Sequence, residues 1–249
     1  YNGIPAPGLH YEEVPLKNLP AGMSGFKVVQ LSDLHLGTYT SAGSVKDIVD
    51  KTNSVSPDLI VITGDLVDGD ICKKEELCVQ LRRLKATHGV YAVTGNHEFY
   101  TGMEAFEKMM QATGITLLRN RSVVVAGQLQ LVGLDDSQGK RFGGEGADLE
   151  KATAGLDPSK PAILLYHRPM LFDEAVKKGI GLQLSGHTHA GQIPPMDIMV
   201  YIYYKYPHGL YEKDGSYIYT SPGTGLWGPP MRFLSRNEIT VITLISGAE

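Results

Sequence analysis

"LIVITGDLVD", residues 59–68, begins with four consecutive apolar residues and turns polar at Thr63, Gly64 and Asp65. A short, unbroken apolar run of this kind reads as a strand buried on both faces, as in parallel sheets. The run ends by delivering a carboxylate. Four other segments have the same form. "FKVVQLSDLH" leads into Asp33 and His35, "VYAVTGNH" into Asn96 and His97, "AILLYH" into His167, and "LQLSGHTH" into His187 and His189. Three of these ends share a Ser/Thr-Gly step before the polar residue, and glycine there lets the backbone approach a ligand closely. Helical patterns near 43–55, 73–86, 103–113 and 171–178 fall between strand-like runs at 26–31, 59–63, 90–94, 129–134, 162–166 and 182–185. Strands alternating with helical crossovers predict an α/β fold. Near the C-terminus, "SYIYTS" and "EITVITLI" have no helix between them, which predicts an antiparallel or mixed portion.

Each polar strand end has an ordinary explanation when taken alone. Asp33 or Asp65 suits a turn or a helix cap, Asn96 follows glycine as in many turns, and His167 suits a loop. Jointly they do not, because five of the eight histidines in the chain sit at these ends. Strand ends of α/β sheets are where sites are built. Imidazole with carboxylate and without thiolate suits Mn, Fe, Zn or Co rather than a structural zinc site. Asp33, His35, Asp65, Asn96, His167, His187 and His189 are seven candidate ligands, more than one ion with an open position can use. A carboxylate can bridge two cations about 3.5–4 Å apart, and Asp65 stands centrally in the series.

Composition narrows the class. The 249 residues are 42% hydrophobic and 20% charged, ordinary for a globular protein, and the net charge of −4 gives no basic surface for nucleic acid. No apolar run approaches the roughly 20 residues of a membrane-spanning helix. Cys72 and Cys78 lie on one helical pattern about 9 Å apart, too far for a disulfide, and they read as reduced thiols. Residues 1–25 carry four prolines and four glycines and read as an extended leader, with residues 26–249 as one domain. The chain starts at Tyr1 rather than Met, so an N-terminal anchor or signal is expected ahead of it, with a cytoplasmic protein as the alternative.

The five blocks together resemble the calcineurin-like metallophosphoesterases: "DLH" (33–35), "GDLVD" (64–68), "GNHE" (95–98), His167 and "GHTH" (186–189), in the family's order. The resemblance implies two mixed β-sheets packed as a sandwich and flanked by helices, with a dinuclear centre at the strand ends. It implies that Asp33, His35, Asp65 and His189 hold one ion and that Asp65, Asn96, His167 and His187 hold the other. It further implies that His97 faces the substrate and that Asp68 orients it. The leader and the tail "GTGLWGPPMRF" are similar to the YkuE/YaeI-type bacterial phosphodiesterases, a branch whose members are often anchored or exported. Where Ser/Thr phosphatases of the superfamily continue with Asp-Arg-Gly, this chain has Asp68, Gly69 and Asp70, which speaks against phosphoprotein substrates. Tyr166 and Ala190 also depart from the branch and bear on pocket shape.

The expected activity is hydrolysis of a phosphate ester on two divalent transition-metal ions, most simply a phosphodiester. His97 would assist the leaving group, and Arg168 and Arg232 are candidate phosphate contacts. The alternatives are a pyrophosphatase or phosphomonoesterase acting on a lipid-linked phosphate, or a non-catalytic metal-binding scaffold. One segment is left over. "IPPMDIMVYIYYKYPHGLY", residues 193–211, holds five tyrosines and follows the histidine pair. It reads as a buried strand or short helix, or alternatively as an exposed aromatic lip contacting a membrane peripherally.

Overall fold

The structure is a computed structural model that describes residues 6–37, 40–69, 75–228, 231–233 and 235–247. In chain order its first half runs β1 (Gly8–Leu16), β2 (Phe26–Leu31), α1 (Ala42–Ser54), β3 (Leu59–Ile62), α2 (Glu75–Leu81), β4 (Val90–Ala92), α3 (Asn96–Thr101), α4 (Met103–Thr113) and β5 (Thr116–Leu117). The second half runs β6 (Arg121–Val125), β7 (Leu129–Gly133), α5 (Leu149–Thr153), β8 (Ala162–Leu165), α6 (Phe172–Lys177), β9 (Leu182–Ser185), α7 (Met196–Tyr203), β10 (Gly209–Lys213), β11 (Ser216–Thr220) and β12 (Glu238–Ser246). Two six-stranded sheets result, ordered β1-β12-β2-β3-β4-β5 and β10-β11-β9-β8-β7-β6.

Strand periodicity builds the layers. In β2 and β3, Val28, Leu59 and Val61 point between the sheets, where they meet Leu131, Ile163, Leu165 and Leu184 of the second sheet. The alternate residues Val29, Ile60 and Ile62 point outward onto α1, α2 and α4. On the far side, Val132 and Leu164 are covered by Ala152 of α5 and Ala175 of α6. Each strand thus buries both faces, which is why its sequence is an unbroken apolar run instead of an alternating one. The fold is the expected α/β sandwich of two mixed sheets flanked by helices. β2 to β5 are parallel, as are β7, β8, β9 and β11. Their carboxyl ends therefore point to one edge of the sandwich.

The tail and the leader add structure around this frame. β12 pairs antiparallel with β2, and β11 lies antiparallel to β10 and parallel to β9. The leader is more than an extended approach. Gly8–Leu16 forms β1, pairs in parallel with β12, and buries Val14 and Leu16 against the inter-sheet core. Pro15 is accommodated because β1 is an edge strand with one unpaired side. Cys78 is buried in α2, and Cys72 lies outside the described residues. The tyrosine-rich segment becomes α7, which contains no buried residue, so the reading of it as buried fails over Met196–Tyr203. Tyr206, just beyond, is buried against Phe172.

Candidate metal centre

The turns after β2, β3, β4, β8 and β9 converge at the carboxyl edge, and hydrogen bonds tie them together across the two sheets. Within the first sheet, Asp33 N donates to Gly64 O (3.1 Å) and His35 N to Asp65 O (3.0 Å). Between the sheets, His187 N donates to both Asp33 carboxylate oxygens (3.1 Å each). His167 Nδ1 reaches Thr63 O at 2.8 Å. Neither glycine step tolerates a side chain here. A Cβ on Gly95 would lie 2.2 Å from Asp65 Oδ1, and one on Gly186 would lie 2.2 Å from Asp33 Oδ2. Asp33, His35, Asp65, His187 and His189 all adopt positive φ (47° to 71°). Such strain in non-glycine residues persists only where surrounding structure enforces it, and it clusters at functional sites.

Six of the seven candidate ligands fall into overlapping groups with His97. Potential ligand atoms of Asp33, His35 and His189 lie within 4.8 Å of one another, as do those of Asp65, His167 and His187 and those of His35, Asp65 and His97. Asp65 Oδ2 is 3.2 Å from His167 Nε2, 3.8 Å from His35 Nε2 and 4.0 Å from His97 Nε2. His35 Nε2 faces His189 Nε2 at 3.1 Å, and His187 Nδ1 faces His167 Nε2 at 3.1 Å. Imidazole nitrogens directed at each other in buried space, beside carboxylates, are a donor set for cations. The all-nitrogen-and-oxygen composition fits divalent transition metals. His167 is already oriented for the task, since Nδ1 engages a backbone carbonyl and leaves Nε2 facing Asp65.

Electrostatics point the same way. Burial pushes the Asp33 carboxyl up to about 6, against the pull of His167. Burial lowers His35 to about 4 and takes His187 and His189 well below the ordinary histidine range. Burial would also raise Asp65, but His167, His35 and His97 together hold it well below the usual carboxylate range. His167 is pushed up to about 10 because the Asp65 carboxylate outweighs its burial. A proton on His167 therefore balances Asp65 where a cation would otherwise do so.

His97 and the two arginines surround this cluster. His97 Nδ1 lies 3.3 Å from Asp68 Oδ1, and its ring packs edge-on against Tyr100. Arg168 is gripped by the buried Asp136 through Nε–Oδ2 (2.7 Å) and Nη2–Oδ1 (3.1 Å). It also reaches His187 Nε2 (3.3 Å), Asn96 Oδ1 (3.4 Å) and the Tyr204 hydroxyl. Arg232 has a different environment. Its Nη2 donates to Pro222 O and Gly225 O, and the same nitrogen lies 3.3 Å from His189 Nδ1. The Arg232 guanidinium is thus engaged beneath His189 by backbone carbonyls.

Two site residues are not singled out by sequence reasoning. Glu98 is fully buried and accepts backbone N–H bonds from Gly95 (2.6 Å), Asp65 (3.0 Å) and Val67 (3.2 Å). It fixes the turns that carry Asp65 and Asn96, and its place in "GNHE" was the available signal. Asp136 follows β7 without any motif around it. Only the fold brings it to Arg168.

Comparison with known proteins agrees with this geometry. A "Transmembrane protein with metallophosphoesterase domain" of Danio rerio is 37% identical over 244 residues, covering 93% of this chain and 56% of that protein. An "Uncharacterized metallophosphoesterase YkuE" of Bacillus subtilis is 36% identical over 239 residues, covering 92% of this chain and 82% of that one. Against the first relatives, this chain spans 56% to 66% of their length. In fold it is similar to a dimetal phosphatase from Danio rerio, with a TM-score of 0.54 at 14% identity over 88% of this chain and 99% of that one. The family model "Calcineurin-like phosphoesterase" matches residues 26–191, which include every strand end that carries a candidate ligand. The chain belongs to the calcineurin-like metallophosphoesterases.

Proposed function

We propose that this chain hydrolyses phosphate esters, with a phosphodiester as its preferred substrate. The observation that carries the reading is the overlap of three ligand groups through His35 and Asp65 in one buried pocket. Asp33, His35, Asp65 and His189 would hold one divalent cation, and Asp65, Asn96, His167 and His187 the other, with manganese, iron, zinc and cobalt as the candidates. When bound, such a pair of ions supplies Lewis-acid charge and an activated water. The protein residues do the rest. Arg168, held rigid by Asp136, offers a guanidinium to a phosphoryl oxygen beside Asn96 and His187. One guanidinium suits the single negative charge of a diester. His97, oriented by Asp68, gives a proton to the departing oxygen.

Relatives carry the word transmembrane in their names. Among the described residues here, no helix is long and apolar enough to cross a membrane. We propose a lipid-linked or membrane-proximal phosphate ester as the substrate of the whole protein, anchored or exported, with the chain contacting the membrane peripherally. The test is metal analysis of the purified protein alongside turnover of a chromogenic phosphodiester and the matching monoester. Two ions per chain and faster diester turnover support the reading. A preference for the monoester would make it a phosphomonoesterase, and metal binding without turnover of either would make it a scaffold.

A further inference from the structure

α7 is held at both ends and bare along its length. At its start, Gly191 packs so tightly on Asp197 that a Cβ there would lie 2.1 Å from Asp197 Cα. At its finish, Tyr206 Oη and Lys205 Nζ bond the Asp173 carboxylate at 2.8 and 2.6 Å. In between, Ile198, Met199, Ile202 and Tyr203 are 57% to 80% exposed. A second exposed apolar group is tied to the same place. Gln192 bonds Trp227 through both its side-chain amide atoms (2.6 and 3.0 Å) and accepts from Phe233 N through its carbonyl (2.8 Å). Trp227 and Phe233 are 46% and 60% exposed. A packed core would hide such residues, and of the eight residues of this helix only Asp197 and Val200 are half-buried while the rest are exposed. Grouped exposed apolar side chains mark an interaction surface.

This surface borders the metal centre. Tyr204, next after α7, packs edge-on against His187 at 5.9 Å between ring centroids, and Gln192 follows His189 by three residues. The N-terminal chain arrives at the same edge. Gly8 N donates to Asn237 O, and β1 runs parallel to β12, whose first residues lie beside the carboxyl end of β2. The described N-terminal residues 6–8 therefore lie on the edge that carries the candidate metal ligands. From Ile193 to Tyr204 the only residue charged at neutral pH is Asp197, and one of its carboxylate oxygens is buried. The surface combines exposed Trp, Tyr, Phe, Ile and Met side chains, and its aromatic rings, apolar in body with a polar handle on Trp and Tyr, suit a membrane interface.

We infer that α7, with Trp227 and Phe233 beside it, forms a docking surface for the lipid bilayer, which lays the metal centre against the headgroup layer. This inference rests on the membrane-proximal substrate class of the preceding section. Docking is hydrophobic, so neutral phosphatidylcholine vesicles suffice and added salt does not release the protein. Trp227 is the single tryptophan of the chain, so its fluorescence reports docking directly.

The test mixes the metal-loaded chain with phosphatidylcholine vesicles, with and without phosphatidylglycerol. It follows Trp227 emission, co-sedimentation and turnover of a soluble chromogenic phosphodiester. Blue-shifted emission and co-sedimentation with both vesicle types are expected. Ile198→Ser with Ile202→Ser should weaken vesicle partitioning at least about tenfold, since each loses a buried aliphatic side chain, while soluble turnover and melting temperature stay at the wild-type level. Val124→Ser, on the distant β6, should change nothing. Absence of a Trp227 shift and of co-sedimentation with either vesicle overturns the inference, whatever the soluble activity. So does a dimer in sedimentation velocity that the paired isoleucine variant dissociates, which would assign the surface to a second copy. Docking without turnover of the soluble diester would overturn the phosphodiesterase reading and leave the surface standing.

Discussion

Replacing His97 with alanine separates the two roles the geometry offers it. His97 Nε2 stands 4.0 Å from Asp65 Oδ2, close enough to join His35 and Asp65 around one ion, yet its Nδ1 faces Asp68 at 3.3 Å. As a proton donor, it should contribute roughly 10²–10⁴ to turnover, which is about 3–5 kcal/mol of barrier at 1.36 kcal/mol per decade. Its side chain is only 15% exposed, but it borders open solvent beside Tyr100, and truncation removes ring contacts without exposing an aliphatic core. The fold should survive. The assay is turnover across a series of aryl phosphodiesters whose leaving groups differ in acidity, with metal content measured on the same preparations. His97→Ala should retain both ions and lose most activity with poor leaving groups. With good leaving groups, which depart without protonation, the loss should shrink. A uniform loss along the series refutes the proton-donor argument, and loss of an ion on His97→Ala makes it a ligand.

Four further outcomes follow from the same geometry. Asp65→Ala should reduce bound metal from about two ions per chain toward none and abolish turnover, and undiminished metal by elemental analysis would show that Asp65 does not bridge. Glu98→Ala leaves three backbone donors without their acceptor, at about 1–3 kcal/mol each. A urea midpoint corresponding to less than about 1 kcal/mol of loss would contradict that role, and Glu98→Gln, which keeps one acceptor oxygen, should lose less than alanine. Asp136→Asn weakens the two-bond grip on Arg168, so KM should rise several-fold while metal content holds, and a change in metal content with no change in KM would reassign the pair. The chelated protein should lose thermal stability as pH rises from about 6.5 to 10. His167 has its folded pKa raised to about 10 from 6.5, so its contribution is complete below 6.5 and disappears as pH passes 10. Glu98, raised by burial to about 8 from 4.5, loses its contribution in the same direction. Metal-loaded protein should show a flatter profile, because a cation replaces the proton opposite Asp65, and an equal slope would argue against metal at His167.

The five apolar runs with their polar ends were readable as strands because burial on both faces demands an unbroken apolar stretch, and that pattern is local. The candidate ligands were legible for a related reason. Each lies within four residues of its strand, so placing the strand places the ligand. The leader was read less well, because β1 is specified by pairing with β12, more than 200 residues away. Its prolines and glycines spoke louder than its short apolar alternation.

Asp136 and Arg168 are 32 residues apart and share no motif, so only packing of β7 beside β8 joins them. α7 shows the converse. Its hydrophobicity was evident, but hydrophobicity alone does not say whether a segment is covered, and none of its residues is buried among the described residues. The α/β class, the strand ends and the residue types gathered as candidate ligands were all readable from residue type and short spacing. Only the folded chain reveals which carboxylates and imidazoles face one another, that backbone carbonyls engage Arg232 while the Asp136 carboxylate grips Arg168, and that α7 stands exposed. Those facts depend on contacts between distant segments, whose energies no local pattern encodes.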